Sequence, residues 1–346
     1  MQFSILIPAY NAEKYIATAV MSALNQEHVD SYEVIVINDG STDQTGTILN
    51  KLQDEYKPKL RVIHQDNTGE YATRRILSRN AKGEYILFLD ADDELRSNAL
   101  HMLSERNKGV LADVVLFDMD KRSLTSTERF TLPLDDGEVY KGNNKYKLYM
   151  LKLSTILLNS MCSKMIRKDC IDLENDDYLR IANGADSYQT FPILDMAKTI
   201  MYVKEVLYDY RKNPQSATNT SKYSSRFAAM QVLFPRSDEY IDKWGIAEND
   251  RMIIYGKRLS SICNCVLAAL QSTEPREIKN DFIHRVRNNS YFLYLIPMRQ
   301  KLKLNKYISF VAWCLDVNQI WLIEYSLCIR RMLIRSKTIN KRDKYE

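Results

Sequence analysis

Short apolar runs alternate with longer amphipathic segments through the N-terminal part of the chain. Four apolar runs have the length and composition of strands that are buried on both faces: residues 3–7, 33–37, 60–63 and 85–89. Between these runs, apolar residues recur at helical spacing in three segments: residues 15–24, 48–56 and 71–81. Ser41 or Thr42 is expected to cap the second of these helices.

This alternation predicts a mainly parallel sheet with helices on both faces. In such sheets, ligands bind outside the carboxyl ends of the strands. A polar turn follows each of the four predicted strands, at residues 8–11, 38–41, 65–67 and 90–92. We therefore expect the four turns to lie together along one edge of the sheet.

The pattern loosens beyond Leu100, although strand and helix signals continue. We predict a hairpin over residues 129–140 that turns at residues 135–137, and a helix over residues 186–197. Four more strands are predicted at residues 114–117, 163–167, 200–203 and 206–210. From about residue 221 onward, apolar residues recur at helical spacing with almost no strand signal. Such stripes are typical of helices that pack against one another.

The turn after the fourth strand carries four acidic residues within a stretch of five, from Asp90 to Glu94. Carboxylates this close repel one another unless a cation lies among them. Asp90 and Asp92 would offer the oxygen ligands that a divalent metal prefers. The alternative is an ordinary solvated acidic loop.

Other polar residues near the same edge have suitable chemistry for a nucleotide. Asp39 could accept the N–H of a pyrimidine base, and Tyr10 could stack on the face of that base. Asp39 could equally be a turn-forming or capping acid. The guanidinium group of Arg74 would suit a diphosphate, although either Arg74 or Arg75 could point inward and either could be a surface arginine.

The net charge of +5 lies in the C-terminal tail, where residues 330–346 contain seven Lys or Arg and two acids. Such a tail suits an anionic membrane surface, or it is simply a solvated, partly disordered end. Its basic residues are not interleaved as in a nucleic-acid groove. We find no disulfide framework among the six cysteines, no N-terminal signal and no run of eighteen apolar residues. A cytoplasmic protein, peripheral at the inner face of the cell membrane, is expected.

Four sequence blocks, in order and at fitting intervals, resemble the motifs of a family 2 inverting glycosyltransferase with a GT-A fold. They are Ile7-Pro8-Ala9-Tyr10-Asn11, VINDGSTD at 36–43, Asn67-Thr68-Gly69 with Arg74, and GEYILFLDADD at 83–93. The resemblance implies an α/β fold with a Rossmann-like mixed sheet and an α-helical C-terminal domain. It assigns residues 1–218 to the catalytic domain, with a nucleotide-binding half at 1–100 and an acceptor half at 101–218. Residues 219–346 would form the helical domain and basic tail.

The same resemblance implies a UDP-sugar donor, a Mn²⁺ or Mg²⁺ cofactor and a glycan or lipid-linked acceptor in the synthesis of cell-surface polysaccharide or a teichoic-acid-like polymer. Nucleotide-sugar contacts carry over to the matching positions: Pro8, Tyr10, Asp39, Asn67, Arg74, Asp90 and Ala91. Asp90 would face the ribose, and Asp92 would bind the metal. A homo-oligomer through the C-terminal domain is a further expectation, and nucleic acid is not an expected partner.

Members of this family carry a Glu-Asp pair at the start of a helix, and the Asp is the general base. The matching position is Asp186, but Ala185 replaces the Glu, and residues 175–177 (Asn-Asp-Asp) form an acidic rival. Residues 210–218 resemble the segment that closes over the donor diphosphate. The Ala185 departure keeps one alternative open, a catalytically idle scaffold or sugar-binding partner protein. A phosphatase and a nucleotidyltransferase fit less well, because Glu94 stands where the first needs Thr and no glycine-rich loop follows the first strand.

Overall fold

The structure is a computed structural model that describes residues 2–29, 31–123, 125–155, 158–173, 184–212 and 222–330. The chain forms two compact units, which are treated separately below. Unit 1 contains Met1–Thr220 and Val232–Trp244, and unit 2 contains Ser221–Gln231 and Gly245–Glu346. The boundary predicted at residue 218 and the roles predicted for the two domains stay predictions.

The N-terminal half of unit 1 has the predicted alternation of strands and helices. Its strands are β1 (Phe3–Ala9), β2 (Tyr32–Asp39), β3 (Leu60–Gln65) and β4 (Tyr85–Phe88), and its helices are α1 (Ile16–Leu24), α2 (Thr45–Glu55) and α3 (Glu70–Asn80). The strands are parallel, in the order β3-β2-β1-β4. β1 and β4 are almost wholly buried, because helices cover the sheet and apolar side chains occupy both faces. Because the four strands are parallel, their carboxyl ends share one edge of the sheet, as predicted from the sequence.

The second half of unit 1 extends this sheet with antiparallel neighbours. Its strands are β5 (Glu94–Leu95), β6 (Val114–Arg122), β7 (Thr127–Phe130), β8 (Val139–Lys141), β9 (Lys164–Arg167) and β10 (Thr199–Arg211). β9 pairs antiparallel with both β4 and β6, and β10 lies parallel to β6. The helices are α4 (Ala99–Asn107), α5 (Tyr146–Ser154), α6 (Ala185–Met196) and the 3₁₀ turns Gly142–Lys145 and Lys168–Cys170. The sheet is thus mixed rather than mainly parallel.

Three local expectations were wrong. β7 pairs with β6 and β8 pairs with β10, so residues 129–140 do not form a hairpin, although Gly137 does turn the chain at φ +74°. The strands expected at 200–203 and 206–210 are one strand, β10, which stays paired with β6 through register shifts after Val203 and Val206. Helix α2 begins at Thr45 with Gln44 at its N-cap, and Asp43 Oδ1 accepts the N–H of Thr45 at 3.0 Å, a role expected of Ser41 or Thr42.

Unit 2 is helical throughout its described residues. Helix α7 (Tyr223–Lys243) belongs to unit 2 as far as Gln231 and to unit 1 from Val232. Unit 2 also contains α8 (Glu248–Gln271), α9 (Arg276–Arg287), α10 (Ser290–Leu295), α11 (Lys306–Asp316), a 3₁₀ turn at Ile296–Met298 and a helix α12 that starts at residue 320 and reaches 330, where the description ends. α8 is long and apolar enough to cross a membrane by length and composition alone, but 56% of its most apolar window is buried. The same features suit the core helix of a globular unit, so α8 carries no membrane assignment.

Candidate active site

The turns that follow β1 and β2 are joined by hydrogen bonds. Asn11, at a φ of +49°, accepts the Thr42 N–H at its Oδ1 (2.8 Å), and the Ala12 N–H donates to Thr45 Oγ1 (2.8 Å). These bonds fix the path of the chain just after β1. Tyr10 is 54% exposed at this edge and Pro8 is half-buried. Both predicted base-binding residues of this turn therefore lie at the carboxyl edge of the sheet.

Asp39, the last residue of β2, is buried and holds the turn after β3. Its Oδ1 accepts hydrogen bonds from Gln65 Nε2 (2.7 Å), the Thr68 N–H (2.8 Å) and the Thr68 hydroxyl, and its Oδ2 accepts the Gly69 N–H at 2.9 Å. Burial alone would raise the pKa of Asp39, but these hydrogen bonds hold it below its usual value. Oδ2 makes one of the two hydrogen bonds that a carboxylate oxygen can accept, so it keeps capacity for a ligand donor.

Asn67 and Gly40 close this corner of the site. The Asn67 side-chain amide donates to the backbone carbonyl of Asp39 at 2.9 Å. Gly40 has a φ of +72°, and a Cβ built on it would lie 2.6 Å from the backbone nitrogen of Asn67. A side chain at position 40 is therefore excluded both by backbone conformation and by space. Asn67 itself is exposed at the edge.

Arg74 is the centre of the site. The residue lies on α3, and its side chain is 1% exposed. Its guanidinium pairs with Glu70 Oε1 (2.7 Å), Asp90 Oδ1 (3.0 Å) and the Asp186 carboxylate. Of the two candidate arginines, Arg74 is thus the one that faces the acidic turn. Arg74 supplies a positive charge to Asp90, and the divalent metal predicted for this turn stays a prediction.

One guanidinium does not fully compensate three carboxylates. Arg74 favours the charged form of Glu70, but burial and the charges of Asp186, Asp90 and Asp92 together raise the pKa of Glu70 to about 7. Burial, opposed by Arg74 and aided by Asp186 and Asp92, also raises the pKa of Asp90. The site therefore carries an excess of negative charge that an additional cation would relieve.

Asp93 faces away from this cluster and anchors the acidic turn to β10. Its carboxylate accepts the Tyr208 hydroxyl at 2.7 Å and the Arg211 N–H at 2.7 Å. Burial and the charges of Asp90 and Asp92 raise the pKa of Asp93 to about 8. The Arg211 guanidinium adds contacts to the Asp92 carbonyl (3.1 Å) and to Glu94 (2.6 Å). These contacts explain how a turn rich in like charges keeps one conformation.

Asp92 and Ala91 are half-buried in the middle of the same turn. Among the described residues no group of three or more His, Cys, Asp or Glu side chains is arranged to hold a metal ion. Magnesium is, however, commonly bound by one or two carboxylates together with substrate phosphates. Asp92, beside the excess negative charge just described, fits a site of that open kind.

Asp186 lies in the first turn of α6, where the helix dipole favours a negative charge. Besides its pair with Arg74, its Oδ2 accepts the Met161 N–H at 3.2 Å. The helix starts after Gly184, which has a φ of +86°, and a Cβ there would lie 2.6 Å from Leu233 Cδ1. The fold thus brings Asp186 to Asp90 and Arg74, from which it is distant in sequence. The rival acids at 175–177 and the predicted closing segment at 213–218 lie outside the described residues.

Two buried lysines behind Asp186 were missed by the sequence reasoning. Lys152 Nζ donates to the Ser187 carbonyl (2.8 Å) and Asn159 Oδ1 (2.6 Å), and Lys164 Nζ donates to the Ser160 carbonyl. Both lysines are nearly inaccessible. Burial lowers the pKa of Lys164 to about 8, although Asp186 opposes the shift. Burial and the charge of Lys164 hold the pKa of Lys152 well below its usual value. Leu151 and Leu153 flank Lys152, and Met165 and Ile166 follow Lys164 in a predicted strand, which was the available signal.

Comparison with known proteins identifies the family. Residues 4–173 match the model of glycosyl transferase family 2. The chain is 36% identical over 279 residues to glycosyltransferase GlyG of Streptococcus pneumoniae serotype 4, which covers 77% of this chain and 81% of GlyG. It is 27% identical over 274 residues to the putative glycosyltransferase EpsH of Bacillus subtilis, covering 75% of each chain.

A solved structure shows the same fold. The crystal structure of residues 1–349 of Staphylococcus aureus TarS, in complex with UDP-GlcNAc, superposes with a TM-score of 0.56 at 18% identity, covering 87% of this chain and 93% of that one. TarS is a poly(ribitol-phosphate) β-N-acetylglucosaminyltransferase, 35% identical over 101 residues that form 29% of this chain and 18% of TarS. The predicted α/β GT-A fold is confirmed. The chain belongs to glycosyl transferase family 2.

Proposed function

We propose that this glycosyltransferase moves a sugar from a UDP-sugar to a hydroxyl of an acceptor glycan, in the synthesis of a cell-surface polysaccharide or teichoic-acid-like polymer. The observation that carries the proposal is the meeting of Asp90, Asp186 and the buried Arg74 beside Asp92 at the carboxyl edge of the sheet. The similarity to GlyG, EpsH and TarS supports the same class of reaction. The crystal structure of TarS contains UDP-GlcNAc, which supports a UDP-linked donor.

The donor nucleotide would occupy the corner between the turns after β1, β2 and β3. Tyr10 is exposed there and can stack on the base, next to Pro8. Asp39 keeps one acceptor position at Oδ2 for an N–H of the base, and Asn67 and Ala91 would line the pocket. Asp90 would accept a ribose hydroxyl, since its carboxylate is about one-third exposed beside Arg74.

We further propose that Asp92 holds a divalent Mn²⁺ or Mg²⁺ ion together with the donor diphosphate. When bound, such an ion stabilises the negative charge that develops on the UDP leaving group. The raised pKa of Asp90 and of Glu70 supports this assignment, because burial and the neighbouring carboxylates, Asp92 among them, together outweigh the charge of Arg74 at both groups. The preference between the two metals is left to the experiment below.

Asp186 is the proposed general base. The acceptor hydroxyl oxygen forms a bond to the anomeric carbon while the bond from that carbon to the UDP oxygen breaks, and the hydroxyl proton passes to Asp186. One displacement of this kind inverts the anomeric configuration. The Met161 N–H and Arg74 orient the Asp186 carboxylate, and its side chain is 31% exposed, which leaves room for an acceptor. General base catalysis of this kind contributes about 10²–10⁴-fold.

The test is UDP release from a panel of UDP-sugars in the presence of Mn²⁺ or Mg²⁺. An active enzyme releases UDP from one donor and needs a metal, whereas an idle scaffold, the alternative suggested by Ala185, binds UDP without releasing it from any donor. Asp186→Asn is expected to abolish transfer while UDP affinity is retained. Transfer at a rate near that of the wild type in this variant would place the base elsewhere, with Asp177 as the next residue to change.

We propose that unit 2 brings the enzyme to the inner face of the cell membrane. Trp321, Tyr325 and Ile329 recur at every fourth position of α12 and are 60%, 64% and 41% exposed, which places an apolar stripe on one side of that helix. Arg330 and the basic sequence of the tail follow directly, although residues 331–346 lie outside the described part. Aromatic residues next to basic ones suit the interface of an anionic bilayer.

Flotation with liposomes tests this proposal. The full chain should float with vesicles that contain anionic lipid and not with neutral vesicles, and truncation after residue 329 should reduce flotation. If the full chain does not float, the membrane proposal is wrong. That result would also remove the main support for a lipid-linked acceptor. Sedimentation of the same samples without lipid would then show whether the exposed stripe mediates a homo-oligomer.

A further inference from the structure

A small cleft that opens to solvent lies beside the candidate active site within unit 1. We call it the Arg75 cleft. The residues that line it include Tyr71, Arg74 and Arg75 of α3, Tyr188 and Gln189 of α6, Arg236 in the part of α7 that belongs to unit 1, and one acid, Asp172. None of the functional roles proposed above uses Arg75, Tyr188 or Arg236.

The guanidinium group of Arg75 is buried and only partly satisfied. Arg75 is 5% exposed, and its Nη1 donates to the Asp172 carbonyl at 2.6 Å. Its Nε and Nη2 have no hydrogen-bond partner among the residues that the structure describes. No carboxylate in the same part of the chain forms an ion pair with it, whereas the adjacent Arg74 has three such pairs.

A buried guanidinium with unpaired N–H groups is energetically unfavourable unless a ligand accepts its hydrogen bonds and compensates its charge. Leaving a buried donor unsatisfied lowers stability, and the loss is larger when the group is charged. The planar fork of an arginine matches the two oxygens of a phosphate or a carboxylate. The N–H groups of Arg75 that have no partner among the described residues therefore indicate an oxyanion as the ligand of this cleft.

On the other side of the cleft, Arg236 forms an ion pair with Glu239 at 2.8 Å. Arg236 has a buried Nε without a hydrogen-bond partner among the described residues, and its guanidinium lies 5.1 Å from the centre of the Tyr188 ring. The Tyr188 and Tyr71 rings meet edge to face at 5.7 Å, and Arg75 lies 5.9 Å from the Tyr71 ring. Two cations thus flank a pair of aromatic rings, and aromatic faces suit the carbon-bound hydrogens of a sugar or polyol.

The cleft adjoins the residues that would act on the acceptor. Arg74 lines both the cleft and the carboxylate cluster, and Met161, whose N–H orients Asp186, also lines the cleft. Tyr188 and Gln189 lie on the same first turns of α6 as Asp186. A molecule in the cleft is therefore next to the proposed base.

We propose that the Arg75 cleft binds an oxyanion carried by the acceptor, a phosphodiester or a carboxylate close to the attacking hydroxyl, so that the enzyme selects negatively charged acceptors. This inference rests on the proposed function, since it names the acceptor class of the same site. Arg75 and Arg236 hold the anionic group, and Tyr71 and Tyr188 contact the sugar or polyol that bears it.

Binding of simple anions is the first test, and it needs no acceptor. We would titrate the full chain with glycerol 3-phosphate, with glucuronate and with neutral glycerol, by NMR or calorimetry, and measure UDP binding in parallel. The two anions should bind and glycerol should not. Arg75→Asn should weaken anion binding about tenfold or more and leave UDP affinity unchanged, whereas Arg106→Asn, a partly exposed arginine of α4, should change neither. Arg75→Lys, which retains the charge, should fold like the wild type and bind anions with intermediate affinity.

A kinetic comparison separates the two sources of the anion. UDP release is measured with three acceptors: a glycerol phosphodiester, a glucuronoside and a neutral glycoside. Wild-type enzyme should prefer one charged acceptor over the neutral one by about tenfold or more in kcat/KM, and Arg75→Asn should remove this preference through KM. Equal use of charged and neutral acceptors, or anion binding that survives Arg75→Asn, would overturn the inference. Failure to bind UDP at all would instead overturn the proposed function and leave the anion titration interpretable on its own.

Discussion

The carboxylates of the site fall into two groups that are stabilised in different ways. Asp39 is held by four hydrogen bonds from uncharged donors within one turn, and these bonds hold its pKa below the usual value. Glu70, Asp90 and Asp186 instead share the single guanidinium of Arg74. The hydrogen bonds to Asp39 fix the conformation of a turn, whereas the arrangement around Arg74 depends on the sum of opposing charges. A bound cation or diphosphate can change that balance without changing the fold.

Arg74→Met should give the largest effect, because it removes the only positive charge that the described residues place among these three carboxylates. The Arg74 guanidinium is buried but its partners are about one-third to one-half exposed, so the loss in the free energy of unfolding should lie near the lower end of the range of about 3–5 kcal/mol for a buried ion pair. UDP release should fall about 10²–10³-fold, the usual loss when one preorganised donor is removed. Urea denaturation and the UDP-release assay measure the two effects.

Arg106→Met is the matched control for this change, since Arg106 pairs with Asp136 at the protein surface. It should lower the free energy of unfolding by no more than about 1 kcal/mol. Arg74→Lys keeps the charge and should lie between the wild type and Arg74→Met. If Arg74→Met is as stable as Arg106→Met, the carboxylates do not depend on Arg74, and the contrast with Asp39 disappears.

Asp39→Asn should have an intermediate effect that is confined to the nucleotide corner. The Asn side chain keeps one acceptor oxygen, so either the Thr68 N–H or the Gly69 N–H loses its partner, at a cost of about 1–3 kcal/mol. UDP affinity should fall about tenfold or more, as measured by calorimetry. Asp66→Asn, an exposed acid of the same turn, should leave stability and UDP affinity unchanged. Equal effects of the two variants would show that Asp39 does not organise this corner.

The sequence was sufficient to predict the Asp39 region because it depends on local order. Parallel strands bring their carboxyl ends to one edge, so the turns that contain Asp39 and Asn67 had to meet once the strands were recognised. The pairing of Arg74 with Asp186 has no such local cause. It depends on antiparallel β9, which lies between β4 and β6, and on the start of α6. No pattern within either segment encodes that pairing, and only the family resemblance pointed to Asp186.

The hairpin expected at residues 129–140 failed for a related reason. The turn signal at Asp135-Asp136-Gly137 was real, since Gly137 has a positive φ. The strands on either side, however, found longer partners in β6 and β10. A turn motif predicts where the chain bends, but the strand that pairs with each side is decided by the rest of the sheet. Lys152 and Lys164 were missed because burial of a lysine depends on such tertiary neighbours.

Glu70→Gln should have the smallest effect and should show it only in the pH dependence of stability. The pKa of Glu70 is about 7 in the folded protein and about 4.5 when the group is unperturbed. Between these values the folded state binds more protons than the unfolded state, so the free energy of unfolding decreases as pH rises from about 4.5 to about 7. Gln does not ionise, so Glu70→Gln should lack this part of the decrease. Its stability relative to the wild type should therefore be higher at pH 8 than at pH 4.5. Addition of Mn²⁺ with UDP should bring the two proteins closer together at pH 8, because a cation beside Asp92 reduces the repulsion that raises the pKa of Glu70. If the free energy of unfolding falls equally steeply with pH in the wild type and the variant, Arg74 alone compensates the charges of Glu70, Asp90 and Asp186.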